Sequence, residues 1–215
     1  ALMTNNAWLI AVSGGKDSTV VMNCVRLVNP DIPAVCSVYE WMLPETRTYV
    51  QHLENCEHVA SGTKQTEFSA NWEHETDLPD GVRWIGGDGQ TQKRYGRHEN
   101  GVFLGLRKEE SARRRIHLAT LGSLFYAENN QCWQCSPIAD WSVEDVWAFI
   151  LSRDIPYNAA YDVLTSLDIP LKYQRIGALA VRSVLGYGQL AILKRGWIDL
   201  YNAYVARYPE ARLYT

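Results

Sequence analysis

A chain of 215 residues has room for one substantial core, and 47% hydrophobic with 21% charged residues is the balance of a globular protein rather than a disordered or fibrous one. The net charge of -3 argues against a broad nucleic-acid-binding face, and no apolar run approaches the ~20 residues that would span a bilayer. Asn5 and Asn6 interrupt the start before any long apolar stretch, so no signal peptide is expected. The odd number of cysteines, five, speaks against a disulfide framework and for a reducing, cytoplasmic setting.

Residues 7–12 read as a buried strand, short and apolar, ended by Gly14-Gly15. Residues 17–28 read as a helix: Val20, Val21, Cys24, Val25 and Val28 recur at helical spacing, and Asp17 in the first turn suits the helix dipole. Ala34–Tyr39 is a second strand. Pro44-Glu45-Thr46 opens a helix running to about Cys56. Strand, helix, strand, helix is the pattern of an α/β fold with a parallel sheet. Residues 61–100 are polar and glycine-rich. They read as a long loop with one short strand near Val82–Ile85 and a basic cluster, Lys93, Arg94, Arg97 and His98, that suits a solvated loop or a substrate phosphate. Val102–Leu106 is another strand, and "LRKEESARRRIHLATL" enters a helix. "DWSVEDVWAFILSRDIPYN" is a helix capped by Ser142 with Asp145 three residues on, carrying Trp141 and Trp147 as packing anchors. The tail from Ile176 to Tyr208 is helical by period.

The turn "SGGKDS", Ser13 to Ser18, follows a strand and opens a helix, so backbone N–H groups converge there with the positive end of the helix dipole behind them. Gly14 and Gly15 permit close backbone approach and positive φ. Lys16 adds a cation, and Ser13 and Ser18 add hydroxyls. Asp17 repels phosphate, so its roles are a Mg²⁺ contact or an internal tie for the loop. The stretch is not a Walker A loop, because Ile10 stands where that motif needs its first glycine. In "GLRKEESARRR", Arg107, Ser111 and Arg114 fall three or four residues apart and would share one helix face, which suits a phosphate or sulfate.

The turn resembles the PP-loop of the ATP pyrophosphatases (adenine-nucleotide α-hydrolases), with its Ser-Gly-Gly-x-Asp-Ser signature. Gly-x-Arg-x-x-x-Ser-x-x-Arg from Gly105 is similar to the pattern of the phosphoadenylylsulfate (PAPS) reductase family within that class. "LPET" at 43–46, "PIADWSVEDVW" at 137–147 and "IPYNAAYD" at 155–162 resemble three further motifs of that family, in order. The resemblance implies a Rossmann-like, HUP-type open parallel sheet flanked by helices, with a helical C-terminal segment. It implies one domain over 1–215, with a nucleotide-binding core at about 3–162 and a helical extension at 163–215. Adenine would lie near Ala11, Val12, Val38, Tyr39 and Gly105, the α-side phosphates at Ser13, Gly14, Gly15, Lys16, Asp17 and Ser18, and the distal phosphate or sulfate at Arg107, Ser111 and Arg114. Lys16, Asp17, Arg107 and Arg114 would carry the catalysis, with ATP and Mg²⁺, the latter at Asp17, as the expected cofactors and PAPS as the alternative nucleotide.

The sulfonucleotide reductases of this family use a nucleophilic cysteine near the C-terminus. The last cysteine here is Cys135, so either a further tail carries it or the reaction differs. The intact Ser-Gly-Gly-Lys-Asp-Ser resembles the ATP-cleaving members, which implies α–β cleavage of ATP and adenylation of an acceptor. Relatives in DNA phosphorothioation and tRNA thiolation do this so that sulfur can replace oxygen. A sulfur-donor protein and a nucleic-acid acceptor are the implied partners, no membrane is, and a homodimer is compatible with the pattern. The alternatives are a PAPS or adenylylsulfate reductase and a non-catalytic nucleotide-binding subunit. Cys132 and Cys135 form a lone Cys-x-x-Cys: half a zinc or iron–sulfur site, a redox pair, a sulfur relay or two core thiols.

Overall fold

The computed structural model describes residues 8–60, 78–84, 101–176 and 188–215. Strand β1 (Trp8–Val12) is apolar along its length and nearly all buried, as a central parallel strand covered on both faces must be. Helix α1 (Lys16–Val28) leads to β2 (Ala34–Ser37), and α2 (Pro44–Gln51) leads to β3 (Cys56–Ala60). Then come β4 (Val82–Trp84), β5 (Gly101–Phe103), α3 (Ala112–Leu121), β6 (Leu124–Ala127), β7 (Cys132–Cys135), α4 (Val143–Ser152), α5 (Ala160–Ser166), α6 (Gln189–Gly196) and α7 (Ile198–Arg207). The strands form one sheet in the order β4-β3-β2-β1-β5-β7-β6. Neighbours run parallel except the edge strand β6, which is antiparallel to β7. This is the Rossmann-like open sheet with a helical C-terminal region.

Two packed regions position the site. In the first, α1 lays Val20, Val21 and Val25 against Ile10, Val12, Phe103, Val146 and Ile150, so β1, β5 and α4 hold the helix that opens at the loop. Burying each such side chain stabilises by about 1.5–3 kcal/mol. In the second, α5, α6 and α7 pack Tyr161, Leu190, Leu193, Tyr201 and Tyr204 against Leu43, at the connection from β2 to α2. Trp197 also donates its indole N–H to Glu45 at 2.8 Å, fixing the first turn of α2.

Several expectations need correction. The helix from Pro44 stops at Gln51, not near Cys56, because the chain turns through Asn55 at φ 46° and enters β3. The strand expected over Val102–Leu106 leaves the sheet after Phe103. A Cβ on Gly105 would lie 2.8 Å from the Ser18 nitrogen, so the backbone there runs past the loop rather than along the sheet. The β6–β7 hairpin is an addition to the elements expected from sequence. Trp141 precedes α4 rather than sharing it with Trp147: it lies beside Phe149 at 5.5 Å, whereas Trp147 meets Tyr157 and Tyr161. The helical tail resolves into α6 and α7, and 177–187 lie outside the described residues, as do Lys93, Arg94, Arg97 and His98.

Candidate functional site

The loop between β1 and α1 is held from three sides. Gly14 has φ +76°, and a Cβ there would meet Thr46 Cγ2 at 2.8 Å, so only glycine fits both the conformation and the space. Buried Asn158 donates to the Gly14 carbonyl at 3.0 Å and to Thr46 Oγ1 at 2.7 Å, and accepts from Ala160 N–H at 3.0 Å. Tyr161, also buried, accepts the Lys16 backbone N–H at 2.9 Å. Burial pushes its phenol well up, so it stays neutral. The serines fold the loop itself: Ser18 Oγ accepts from Ser13 N–H at 3.2 Å and donates to the Gly15 carbonyl at 2.9 Å.

A cluster of charges meets at the head of α1. Lys16 and Arg107 are each 4% exposed. Lys16 Nζ lies 3.2 Å from Asp17 Oδ2 and 3.2 Å from the Gln174 carbonyl. Arg107 Nε lies 2.6 Å from Asp17 Oδ1, and its Nη1 reaches Glu109 at 2.7 Å and the Trp141 carbonyl at 3.2 Å. Burial pulls the Arg107 guanidinium down, but Asp17, Glu109 and Glu110 outweigh it and raise it further, so it is permanently charged. Glu109 also accepts the Val143 N–H at the head of α4 at 2.7 Å. Glu110 pairs with Arg114 and accepts the Arg107 backbone N–H at 2.9 Å, and Arg175 holds the Glu110 carbonyl at 2.6 Å. Four cations (Lys16, Arg107, Arg114, Arg175) thus stand against three carboxylates (Asp17, Glu109, Glu110), beside the positive end of a helix. Such a site can bind an anion.

The shared helix face expected for Arg107, Ser111 and Arg114 is not there. Arg107 is extended, at φ -126° and ψ 145°, ahead of a 3₁₀ turn at Lys108–Glu110. Ser111 is the N-cap of α3, and its hydroxyl accepts from Arg114 N–H at 3.2 Å. The two arginines are instead brought together through Glu110. Gly105 packs on the Asp17–Ser18 backbone. Val38 and Tyr39 follow β2 at the same carboxyl edge of the sheet as Ser13, with Val38 N–H on the Val59 carbonyl at 2.8 Å.

Asp17 is joined to both Lys16 and Arg107, each of its oxygens facing one of the two cations. Cys132 and Cys135 are the two ends of β7, where residues three apart point to opposite faces. Burial pushes both thiols up, and among the described residues no group of three or more His, Cys, Asp or Glu side chains could hold a metal. The zinc or iron–sulfur expectation at this pair therefore has no ligand set here. Asn158, Tyr161, Gln174, Glu109 and Glu110 are site residues that the sequence reading does not single out. Asn158 and Tyr161 lie in "IPYNAAYD" and Glu109 and Glu110 in "GLRKEES", so the motifs held the signal without showing what the residues touch.

A family model described as the phosphoadenosine phosphosulfate reductase domain matches residues 7–182. A curated phosphoadenosine 5'-phosphosulfate reductase of Xylella fastidiosa (strain 9a5c) is 26% identical over 170 residues, 71% of this chain and 66% of its own length. One of the same name from Xanthomonas axonopodis pv. citri (strain 306) is 22% identical over 175 residues, 71% of this chain and 65% of its own. This chain thus spans a little under two thirds of these relatives. A PAPS reductase crystal structure from Candida auris, a phosphate complex, shares the fold at a TM-score of 0.50 with 14% identity, covering 82% of this chain and 83% of that one.

Proposed function

Because the chain belongs to the phosphoadenosine phosphosulfate reductase domain family, we propose that it is a PP-loop enzyme that binds ATP at the Ser13–Ser18 turn and adenylates an acceptor with release of pyrophosphate. The observation that carries this reading is the pairing of two buried cations, Lys16 and Arg107, on Asp17 at the head of α1. In the reaction an acceptor atom bonds the α-phosphorus, the bond from that phosphorus to the bridging oxygen breaks, pyrophosphate leaves with the electron pair, and the acceptor's proton goes to solvent. The Lys16 ammonium and the positive end of α1 would take up the charge that develops on the leaving group, and Arg107 and Arg114 would hold the distal phosphates. Val38, Tyr39 and Gly105 would border the adenine.

Mg²⁺ fits this donor set. The Asp17 side chain is 16% exposed, each of its oxygens has one cation partner and lone pairs to spare, and Mg²⁺ is commonly held by one or two carboxylates plus phosphates. When bound it would supply charge neutralisation at Asp17. A sulfur-donor protein and a nucleic-acid acceptor are the partners that sulfur transfer would call for. A second reading, reduction of PAPS, is favoured by the names of the curated relatives.

The test is product analysis with ATP and Mg²⁺ in the presence of bulk tRNA or plasmid DNA, alongside PAPS with a dithiol. Pyrophosphate from ATP supports adenylation. ADP with phosphate from ATP, or sulfite from PAPS with none of the ATP cleaved, overturns it.

A further inference from the structure

The segment that follows α5 passes against the phosphate loop. The Gln174 carbonyl accepts from Lys16 Nζ at 3.2 Å, and the Ile176 carbonyl lies 3.6 Å from where a Cβ on Gly15 would stand. Arg175, between them, is exposed and donates from Nη2 to the Glu110 carbonyl at 2.6 Å. What fixes this segment is polar. The 3₁₀ turn at Leu171–Tyr173 leaves Leu171 42% and Tyr173 59% exposed, so burial of its apolar side chains does not hold it there. Gln174 is 2% exposed instead, and its amide donates to the Ile169 carbonyl at 2.9 Å and to Thr165 Oγ1 at 3.1 Å. That buried anchor sets the backbone from which the Arg175 side chain departs.

Charge sets Arg175 apart from the other cations of the site. Lys16 and Arg107 share Asp17, Arg107 also meets Glu109, and Arg114 pairs with Glu110. Arg175 meets a neutral carbonyl, and among the described residues no carboxylate pairs with it. A carboxylate beside a cation offsets its field, so the site's surplus positive charge rests on Arg175. A guanidinium fork suits phosphate oxygens, and a single Nη2 contact leaves the rest of this fork open to a ligand. We propose that Arg175 is a further substrate-contacting residue, which binds the distal phosphates of the nucleotide from its place between Lys16 and Glu110. This rests on the nucleotide-binding reading above and adds a contact from outside the loop and the Gly105–Arg114 motif. Lys172, earlier in the same segment, is exposed as well but lies over the Tyr173 ring at 4.7 Å and has no such role.

The probes are the α,β-methylene analogue of ATP, which keeps the phosphate tail but cannot be cleaved at the α–β bond, and AMP, which lacks the tail. Both are titrated calorimetrically with Mg²⁺ at pH 8 into wild type, Arg175→Gln and Lys172→Gln, with thermal melts to verify folding. Arg175→Gln is expected to bind the analogue at least about tenfold more weakly, with AMP affinity within about twofold of wild type. Lys172→Gln should bind both as wild type does, which separates a contact from a general loss of charge. Equal affinity of wild type and Arg175→Gln for the analogue overturns the proposal, as does an equal loss in Lys172→Gln or an equal loss for AMP. If wild type binds neither nucleotide, the nucleotide reading fails. Arg175 is then judged on inorganic tripolyphosphate: weaker binding by Arg175→Gln supports its anion-holding role, and equal or absent binding refutes it.

Discussion

Replacing Asn158 with alanine tests the link between the "IPYN" segment and the phosphate loop. Asn158 is 1% exposed and all three of its hydrogen-bonding contacts are to buried groups: the Gly14 carbonyl, Thr46 Oγ1 and the Ala160 N–H. Each such bond contributes about 1 kcal/mol net, and an orphaned buried partner costs about 1–3 kcal/mol. The loss for Asn158→Ala is therefore about 3 kcal/mol, or roughly 6–12 °C in melting temperature for a chain of this size. Gly14 loses an anchor at the same time, so nucleotide affinity should fall further than a distant mutation of equal stability cost would cause. Thermal melts and calorimetric ATP titrations of Asn158→Ala, Thr46→Val and the double variant measure both effects. The two substitutions remove one shared bond, so the double variant should lose less than the sum of the singles. A stability loss under about 0.5 kcal/mol, or strict additivity, would refute the reasoning.

Arg107→Lys should behave almost as a deletion, because one ammonium cannot reach Asp17, Glu109 and the Trp141 carbonyl together. A loss of about 3 kcal/mol and of measurable ATP binding is expected by melts and calorimetry. Gly105→Ala would press a methyl onto the Ser18 nitrogen and Asp17 carbonyl carbon, so ATP affinity should drop at least about tenfold with about 1–3 kcal/mol of destabilisation, read by the same titration. Burial raises all five thiols, so at pH 8 iodoacetamide should label each of them more slowly in the native chain than in the unfolded one, with Cys36 and Cys56 slowed most, followed by mass spectrometry. Cys36 is pushed from 9.0 up to about 12, so the unfolded thiol ionises first. Its contribution to stability is intact below about pH 9 and is lost as pH rises toward 12, and urea unfolding of Cys36→Ala should show a flatter decline across that window.

The alternation of strands and helices up to β2 was legible because each element carries its own period and the loop its own chemistry. The end of α2 was not: nothing local in "QHLENCEHV" outweighs the helical pattern, and the turn at Asn55 is stabilised by contacts such as Ala34 N–H on the Asn55 carbonyl. The β6–β7 hairpin has its own local signal, since Leu124, Phe125 and Tyr126 before Asn129-Asn130 are strand and turn residues, but its return strand "CWQC" has the spacing of a ligand pair as well. At the site, Lys16 and Asp17 are legible from the loop's chemistry and Arg107 from its motif, yet the contacts that join them are long-range: Arg107 reaches Asp17 across 90 positions and Lys16 reaches the Gln174 carbonyl across 158. Spacing on an assumed continuous helix also misses the break before Ala112, because Ser111 is the N-cap of α3 rather than a residue within it.

The most direct test of the central claim is calorimetric titration of ATP into wild type and into a Gly14→Val, Gly15→Val double variant verified as folded by circular dichroism. A loop that holds phosphate by close backbone approach predicts saturable one-to-one binding by wild type, weakened at least about 100-fold in the variant, because side chains at these positions meet Thr46, Val50 and Tyr161. Equal ATP affinity in the two proteins would contradict it.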